Sequence, residues 1–460
     1  MLNTLKNLIN PITPAVYLQN FSNSNTKLSG TKKSTPKETT KSEVTTPTDS
    51  SLTTENQLKS VKLIMVTAAN NNKFYEMQEN GDTTFTVMYG RIGANKTTRT
   101  YPIHQWDKKY KEKIRKGYRD LSSLVVTNKV AEEFSGIDDQ TVRYLITNLF
   151  RYAKKSIQSN YYVSSEEVTI HQVESAQRLL TELSQNIDLK MNVVQFNKDL
   201  LELYQIIPRK MSHVKNHLIQ QPTNQDDLTE IEALLAKEQA TLDVMASQVE
   251  LNKSQKETVQ VAPDVLAQLG LQISPIEATK AIEMIKEMMG DDKDKFQQAF
   301  QVTNINTQPH FDKFVKKSTN KKTKLFWHGS RNENWLSILK TGLILRPTNA
   351  VITGKMFGYG LYFADKCRKS LNYTSLRGSY WAGGSQNTAF MALFEVHTGA
   401  HLQLKVRENW CGDLTEEKLK KRNTKYDSVF AKGGADLINN EYIVYNQHQC
   451  TVKYLVELRD

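Results

Sequence analysis

Three short stretches in the last third of the chain bring together residues that could do chemistry. His328 lies in "LFWHGSR", directly after an apolar strand pattern and before a glycine. Glu441 heads "EYIVY", whose β-branched and aromatic residues predict a strand. Between them, "GKMFGYGLYFADKCRKSLNY" is rich in glycine and aromatic residues. A carboxylate can stabilise a developing positive charge or polarise a hydroxyl, and an imidazole nitrogen can hydrogen-bond a polar ligand.

Each of these features also has an ordinary structural explanation. A charge at a strand end is usually solvated, a histidine beside an apolar strand is usually a satisfied core group, and aromatic residues usually fill cores. The presence of all three strings in one region favours a functional site over these separate explanations.

The three strings resemble the catalytic domain of the poly(ADP-ribose) polymerases. The matching text is "WHGSR", then "GxMFGxGLYFADxxxKSxNY", then "NEYIVY", in the family's order. The resemblance covers roughly residues 260–460. It implies a mixed α+β domain that uses NAD+ as its substrate and transfers the ADP-ribose group.

Two upstream regions resemble the same family. "MYGRIG", followed by a lysine-rich helix pattern with "KGY", resembles the DNA-sensing module named for Trp-Gly-Arg, although Tyr89 replaces the tryptophan. "LYQIIP" at 203–208 is similar to the family's autoinhibitory helical domain. The resemblance implies that Glu232 faces the donor pocket and that Ala236 replaces a second acidic residue there. Autoinhibition by this helical region is therefore a hypothesis.

The resemblance assigns three catalytic residues, Glu441, His328 and Tyr362. Cleavage of the bond between nicotinamide and ribose creates an oxocarbenium-like ribose. Glu441 would hold its 2′-hydroxyl, stabilise the positive charge and polarise the acceptor. His328 would hydrogen-bond a ribose through a ring nitrogen.

The resemblance also assigns the contacts around the donor. Tyr362 and Tyr373 would stack on the nicotinamide ring, and Ser370 would reach its carboxamide oxygen. Gly329 would let the backbone approach closely because it has no Cβ. Ser330 falls on the adenosine side, and Lys369 falls near the acceptor.

Some positions depart from the family pattern. Lys355 replaces a tyrosine on the acceptor side. Ile344 stands where well-known members carry an arginine facing the donor, with Arg346 two residues further on. The stretch "TSLRGSYWAGGSQN" after Tyr373 has no counterpart in the family pattern. The choice of acceptor and the polymer length therefore stay open.

The predicted DNA contacts lie around "YGR". Arg91 is expected to bind a terminal phosphate and Tyr89 to stack on a terminal sugar or base, with Gly90, Lys96 and Lys116 completing the set. The formal net charge of +12 favours an anionic partner, and nucleic acid is the commonest one. The alternatives are a solvated face for the lysine-rich helix and a protein that is merely basic.

Composition and periodicity predict an α+β multidomain protein. They indicate a disordered tail rich in Ser and Thr at 1–57, a small antiparallel sheet with one helix at 58–130 and an all-α bundle at 139–252. The resemblance implies that the mixed α+β part at 260–460 is the catalytic domain. In the sheet module, one helix face is predicted from residues at successive fours: Trp106, Tyr110, Ile114 and Tyr118.

Cysteine spacing and hydropathy exclude several classes of protein. The three cysteines form no CxxC pair, which excludes a Cys-rich zinc module and a disulfide framework, and no metal-ligand spacing is present. No apolar run approaches the roughly 18 residues that a membrane span needs. We therefore expect neither a metal nor a membrane partner.

The resemblance implies a DNA-break-activated ADP-ribosyltransferase. It would release nicotinamide from NAD+ and modify protein acceptors, itself included, by elongating poly(ADP-ribose). Its activator would be DNA with 5′-phosphorylated breaks, in the nucleus of a eukaryotic cell or the nucleoid of a bacterium. Two alternatives stay open: a mono-ADP-ribosyltransferase of the same architecture, and a catalytically silent scaffold that binds DNA or ADP-ribose.

Overall fold

The computed structural model describes residues 58–122, 136–256, 265–345 and 356–460, and the predicted tail at 1–57 lies outside these ranges. The described strands are β1 Ser60–Thr67, β2 Asn71–Glu79, β3 Thr84–Arg91, β4 Thr97–Pro102, β5 Arg119–Asp120, β6 Leu271–Pro275, β7 Phe296–Asn304, β8 Thr323–Gly329, β9 Leu361–Phe363, β10 Thr388–His397, β11 Ala400–Leu404, β12 Tyr426–Ala431, β13 Glu441–Val444 and β14 Cys450–Arg459. The described α-helices are α1 Trp106–Arg115, α2 Gln140–Asn160, α3 Ile170–Gln185, α4 Val193–Ile206, α5 Gln225–Lys256, α6 Val265–Leu269, α7 Thr279–Met289, α8 Gln308–Lys317, α9 Trp335–Thr341, α10 Cys367–Leu371 and α11 Glu416–Arg422.

The first five strands form an antiparallel sheet in the order β4-β3-β2-β1-β5. Both faces of β1 and β2 bury side chains. Leu63 and Tyr75 pack in one core with Trp106, whereas Ile64 and Phe74 pack in a second core with the helices that follow. Helix α1 packs on this sheet through Trp106, whose ring meets that of Phe85 edge-on with centroids 5.0 Å apart.

The predicted face of α1 is wrong at its C-terminal end. The helix ends at Arg115, Ile114 is 38% exposed, and Tyr118 is buried from the turn that follows the helix. Gly117 explains the early end because its φ of 87° is a left-handed conformation that terminates a helix. Arg119 then enters β5 and pairs with β1.

Helix α2 joins two hydrophobic cores. Leu145 and Leu149 in its first half pack in one core with residues of the C-terminal part, such as Trp335. Ala153 and Ile157 in its second half pack in another core with residues of α3, α4, α5 and the small sheet. The helical region is therefore not an isolated bundle, since it shares its cores with the parts on either side.

Helix α5 buries polar side chains that the periodicity does not predict. The guanidinium of Arg209, from the turn after α4, pairs with Glu238 of α5 at 3.1 Å between Nε and Oε2, and both side chains are 6% exposed. Gln239 donates from Nε2 to Oδ1 of Asp243 at 2.9 Å. These charges and amides pair with one another because an unpaired buried polar group is destabilising.

Two sheets form the C-terminal part, in the orders β6-β7-β14-β10-β8 and β11-β12-β13-β9. Neighbouring strands run antiparallel except for the pair β11 and β12. The edge strands β8 and β9 meet where Trp327 and Ala364 exchange two backbone hydrogen bonds of 2.8 and 3.0 Å. The strings "WHGSR" and "LYFAD" are therefore neighbours at the junction of the two sheets.

No helix within these described ranges is both long and apolar enough to cross a membrane.

Candidate active site

His328 is a buried imidazole with one ring nitrogen already hydrogen-bonded. It lies next to the end of β8 and is 1% exposed. Its Nδ1 lies 3.2 Å from the carbonyl oxygen of Tyr362, so this nitrogen carries the proton and donates it. Burial lowers the pKa of His328 to about 4, which keeps the ring neutral at pH 7. Nε2 is buried without a hydrogen-bond partner among the described residues, which leaves an acceptor for a ligand hydroxyl.

Glu441 faces a lysine across the junction of the two sheets. It is the first residue of β13, and its side chain is 9% exposed. Lys369 of α10, 12% exposed at the side chain, forms an ion pair with Oε1 of Glu441. Burial lowers the pKa of Lys369, and the charge of Glu441 opposes that shift. The carboxylate predicted from "NEYIVY" is therefore a buried, paired group and not a solvated strand end.

Two further residues, which the sequence reasoning missed, fix the start of β13. Asn440 donates from Nδ2 to Oδ2 of Asp365 at 2.7 Å, and its Oδ1 accepts from the backbone N–H of Gly433 at 2.9 Å. These bonds connect the residue before Glu441 to the segment after β9. Asp365 lies in "YFAD" and Asn440 in "NNE". Their places inside the quoted motifs were the sequence signal that could have identified them.

Tyr362 and Tyr373 both lie within reach of the charge on Glu441. The hydroxyl of Tyr362 donates to the carbonyl of Gly358 at 2.9 Å and accepts from the N–H of Phe357 at 3.1 Å. Burial raises the pKa of each tyrosine, and the negative charge of Glu441 raises both further. Both tyrosines are therefore neutral. Their rings are nearly fully buried and can offer apolar faces to a ligand.

Gly329 is required by its surroundings. A Cβ at this position would lie 1.9 Å from the carbonyl oxygen of Ser370, closer than any side chain tolerates. The end of β8 therefore packs directly against α10. Ser330 follows, 1% exposed, and its Oγ accepts from Nδ2 of Asn334 at 3.1 Å.

The arrangement suits a substrate that carries sugar hydroxyls and a flat ring. The unpaired Nε2 of His328 can accept from a hydroxyl, the two tyrosine rings offer stacking faces, and Glu441 can stabilise positive charge. Because the carboxylate and imidazole are buried, their interactions with a substrate are less screened than they would be in water.

Helices α2 and α5 border the turn that follows Ser330. Both helices contact the turn at 332–334, and α5 also contacts α9. An ion pair of 3.2 Å joins Glu250 of α5 to Lys340 of α9. Glu232, predicted to face the donor pocket, is half-buried on α5, and Ala236 lies one turn further along.

The predicted DNA residues occupy different environments. Arg91 is engaged in the structure: its guanidinium donates to the carbonyl and the Oδ1 of Asn70, at 2.7 and 2.9 Å, and to the carbonyl of Ser212 at 2.5 Å. Ser212 belongs to the helical region, so Arg91 bridges that region and the sheet module. Tyr89 is half-buried, with its ring 5.9 Å from that of Tyr75.

The other predicted DNA residues are a glycine within β3 and two exposed lysines. Gly90 lies in β3, where an added Cβ would meet the carbonyl of Asn95 at 3.0 Å. Lys96 is exposed, and Lys116 is exposed and paired with Glu112 at 2.6 Å. Lys355 and Arg346, at which the chain departs from the family pattern, lie outside the described residues.

Comparisons with known proteins give two family matches and several relatives. Residues 277–460 match the poly(ADP-ribose) polymerase catalytic domain, and residues 61–124 match the WGR domain. "Putative poly [ADP-ribose] polymerase-like 100L" of Invertebrate iridescent virus 6 is 32% identical over 186 residues, which are 40% of this chain and 96% of that protein. "Uncharacterized protein 101L" of the same virus is 36% identical over 198 residues, 43% of this chain and 81% of that protein. Human "Poly [ADP-ribose] polymerase 2" is 33% identical over 168 residues, 29% of this chain and 26% of that protein.

Proposed function

The chain belongs to the poly(ADP-ribose) polymerase family and is an NAD+ ADP-ribosyltransferase, and we propose that DNA breaks with a 5′-phosphate activate it to modify protein acceptors, itself included. We further propose that it elongates the first ADP-ribose into a polymer. The observation that carries the chemistry is the meeting of His328, Tyr362 and Glu441 at one buried sheet junction.

In the proposed reaction, the bond between ribose C1′ and the nicotinamide nitrogen breaks, and its electron pair leaves with nicotinamide. Glu441 stabilises the positive charge that develops on the ribose and holds a ribose hydroxyl. The acceptor oxygen then bonds to C1′, and its proton passes to the carboxylate of Glu441. This last role needs Glu441 to release part of its pairing with Lys369.

The side chains around Glu441 would hold the NAD+ donor in position. Nε2 of His328 accepts from a ribose hydroxyl, since its other nitrogen already donates to Tyr362. Tyr362 and Tyr373 sandwich the nicotinamide ring, and Ser370 reaches its carboxamide. Holding the donor in one pose before reaction supplies much of the rate enhancement available to such a site.

Support for DNA activation comes from a continuous set of contacts. Arg91 joins the sheet module to Ser212 of the helical region, and Lys62 of β1 pairs with Glu167 ahead of α3 at 2.7 Å. The helical region in turn contacts the turn at 332–334, directly after Ser330. A 5′-phosphate that drew Arg91 away from Ser212 would weaken one of these bridges and loosen the helices beside the donor site.

The proposal is tested by NAD+ turnover with nicked, 5′-phosphorylated duplex and with the same duplex sealed. We expect strong stimulation by the nick and a ladder of protein-linked products. A single ADP-ribose per acceptor would identify a mono-transferase. Equal rates with nicked and sealed DNA would refute break activation, and no turnover under any condition would favour the silent scaffold. The compartment that follows from this proposal is the one that holds the DNA, the nucleus in a eukaryotic cell.

A further inference from the structure

A polar cavity of about 270 Å³ lies between α2 and the catalytic part, beside the contacts that join them. The C-terminal half of α2 forms one wall, and the segment at 382–386 forms the other. The turn that begins at Arg331 closes the base. None of the residues assigned above to NAD+ or to the acceptor lines this cavity. Its outer wall belongs to "TSLRGSYWAGGSQN", the stretch without a counterpart in the family pattern.

The outer wall is a fixed structure. The backbone N–H groups of Trp381 and Ala382 both donate to the carbonyl of Asn372, at 3.1 and 3.0 Å. Gln386 donates from its backbone to the carbonyl of Ser375 at 2.9 Å. Gly384 is needed for this fold, because a Cβ there would lie 2.0 Å from the carbonyl oxygen of Leu376. The segment therefore presents a defined surface to the cavity.

A buried polar atom in the cavity wall lacks a partner. Asn332 is 1% exposed and donates from Nδ2 to the carbonyl of Thr388 at 2.8 Å. Its Oδ1 is buried and has no hydrogen-bond partner among the described residues. Buried polar groups in folded proteins are nearly always satisfied, so this oxygen can accept from a donor group that a ligand brings.

The charges and rings around the cavity restrict the ligand further. Lys155 and Arg331 bring two cations to its lining, against the single carboxylate of Glu333. Tyr380 and Trp381 stand next to the lining residues of the outer wall, with their rings edge-on at 4.4 Å, and Tyr380 is 61% exposed. The site thus offers an acceptor, a net positive charge and aromatic surface within one short stretch of structure.

We propose that this cavity binds an adenine nucleotide unit, either free or as part of ADP-ribose. An exocyclic amino group would donate to Asn332, the phosphate would pair with Lys155 and Arg331, and the base would stack at the Tyr380–Trp381 pair. The volume lies just below the roughly 300 Å³ at which pockets for drug-sized ligands begin, which suits a mononucleotide unit better than a whole dinucleotide. The choice of ligand rests on ADP-ribosyl transfer, because ADP-ribose is what that reaction supplies.

Occupancy of the cavity would link the helical region to the catalytic part. One wall belongs to α2 and the other to the segment after α10, so the complete site exists only while the two are in contact. A ligand that binds only this arrangement stabilises it, and the stabilisation grows with the logarithm of ligand concentration once that concentration exceeds Kd. The product of the reaction would therefore favour the docked state of α2.

The test uses the full chain with its five tryptophans replaced by 5-fluorotryptophan and observed by fluorine NMR. The resonance of Trp381 is assigned with Trp381→Phe, and AMP, ADP-ribose and inorganic phosphate are titrated separately. We expect a saturable shift of the Trp381 resonance with AMP. Lys155→Glu should weaken that affinity about tenfold or more, because it replaces a phosphate-binding cation with a carboxylate. Lys154→Glu, a matched change on the same helix outside the lining, should leave it nearly unchanged.

Three results would overturn the proposal: no Trp381 shift at millimolar AMP, equal affinity for AMP and inorganic phosphate, or a shift that Lys155→Glu does not weaken. Tighter binding of ADP-ribose than of AMP would identify the product as the source, and the reverse would identify a free nucleotide. Because no NAD+ is turned over, a protein that shows this titration but no transferase activity would refute the proposed function and leave the cavity site standing.

Discussion

Removal of Lys369 should destabilise the protein through the charge it leaves behind on Glu441. The two side chains are 12% and 9% exposed, so water screens the pair little. Lys369→Met leaves a buried carboxylate without its cation, and breaking a buried pair in this way costs about 3–5 kcal/mol. Glu441→Gln should cost a similar amount because it leaves the ammonium group unpaired.

The double variant Lys369→Met/Glu441→Gln removes both charges, and we expect it to cost about 2 kcal/mol less than the sum of the single variants. The assay is the free energy of unfolding in urea for the four proteins of this cycle. The exposed pair Lys421–Glu417 is the matched control, with side chains 72% and 76% exposed. Its coupling should be much smaller, because water screens an exposed pair. A coupling for Lys369 and Glu441 as small as that of the control would refute the account of a desolvated pair.

Three further predictions concern other parts of the site and the DNA end. The pKa of the His328 ring is 6.5 in the unfolded chain and about 4 in the folded protein. The stability that the neutral buried ring contributes is therefore complete above pH 6.5 and is lost as the pH falls towards 4. An acid limb of kcat/KM near pH 6.5 that disappears in His328→Asn would contradict the neutral ring. Gly329→Ala forces a Cβ against Ser370, and we expect about a 100-fold loss of kcat/KM with the protein still folded by circular dichroism. Arg91→Ala should reduce stimulation by nicked DNA and increase amide exchange around Ser212, whereas Arg99→Ala, an exposed control on β4, should change amide exchange there little.

Much of the site could be predicted from the sequence because its residues lie in long motif strings. His328, Tyr362 and Glu441, which the resemblance assigns as catalytic, are buried at one junction of the two sheets, and their catalytic roles stay predictions. The pairing of Lys369 with Glu441 was not predicted, since it depends on how β13 and α10 are placed by strands distant in sequence. The same holds for Asn440 and Asp365, which only the pairing of β13 with β9 brings together.

The errors and surprises have local physical causes. The periodicity that predicted one face for α1 continued past Arg115, but Gly117 ends the helix in a left-handed conformation. Arg91 was predicted as a phosphate ligand from its place in "YGR". Propensity and charge could not reveal that its guanidinium is held by Asn70 and Ser212, because that contact joins two regions of the chain.

The central claim is that Glu441 acts on the ribose during ADP-ribosyl transfer. The most direct test is nicotinamide release from NAD+ in the presence of nicked DNA by wild type, Glu441→Gln and Glu457→Gln. Glu457 is also a buried glutamate, on β14, where it accepts from Gln298, so it controls for the loss of a buried carboxylate elsewhere. We expect Glu441→Gln to lose about 100-fold or more in kcat, as for the removal of one group that stabilises a transition-state charge, while Glu457→Gln stays close to wild type. Nicotinamide release by Glu441→Gln at the wild-type rate, with the variant still folded, would contradict the account.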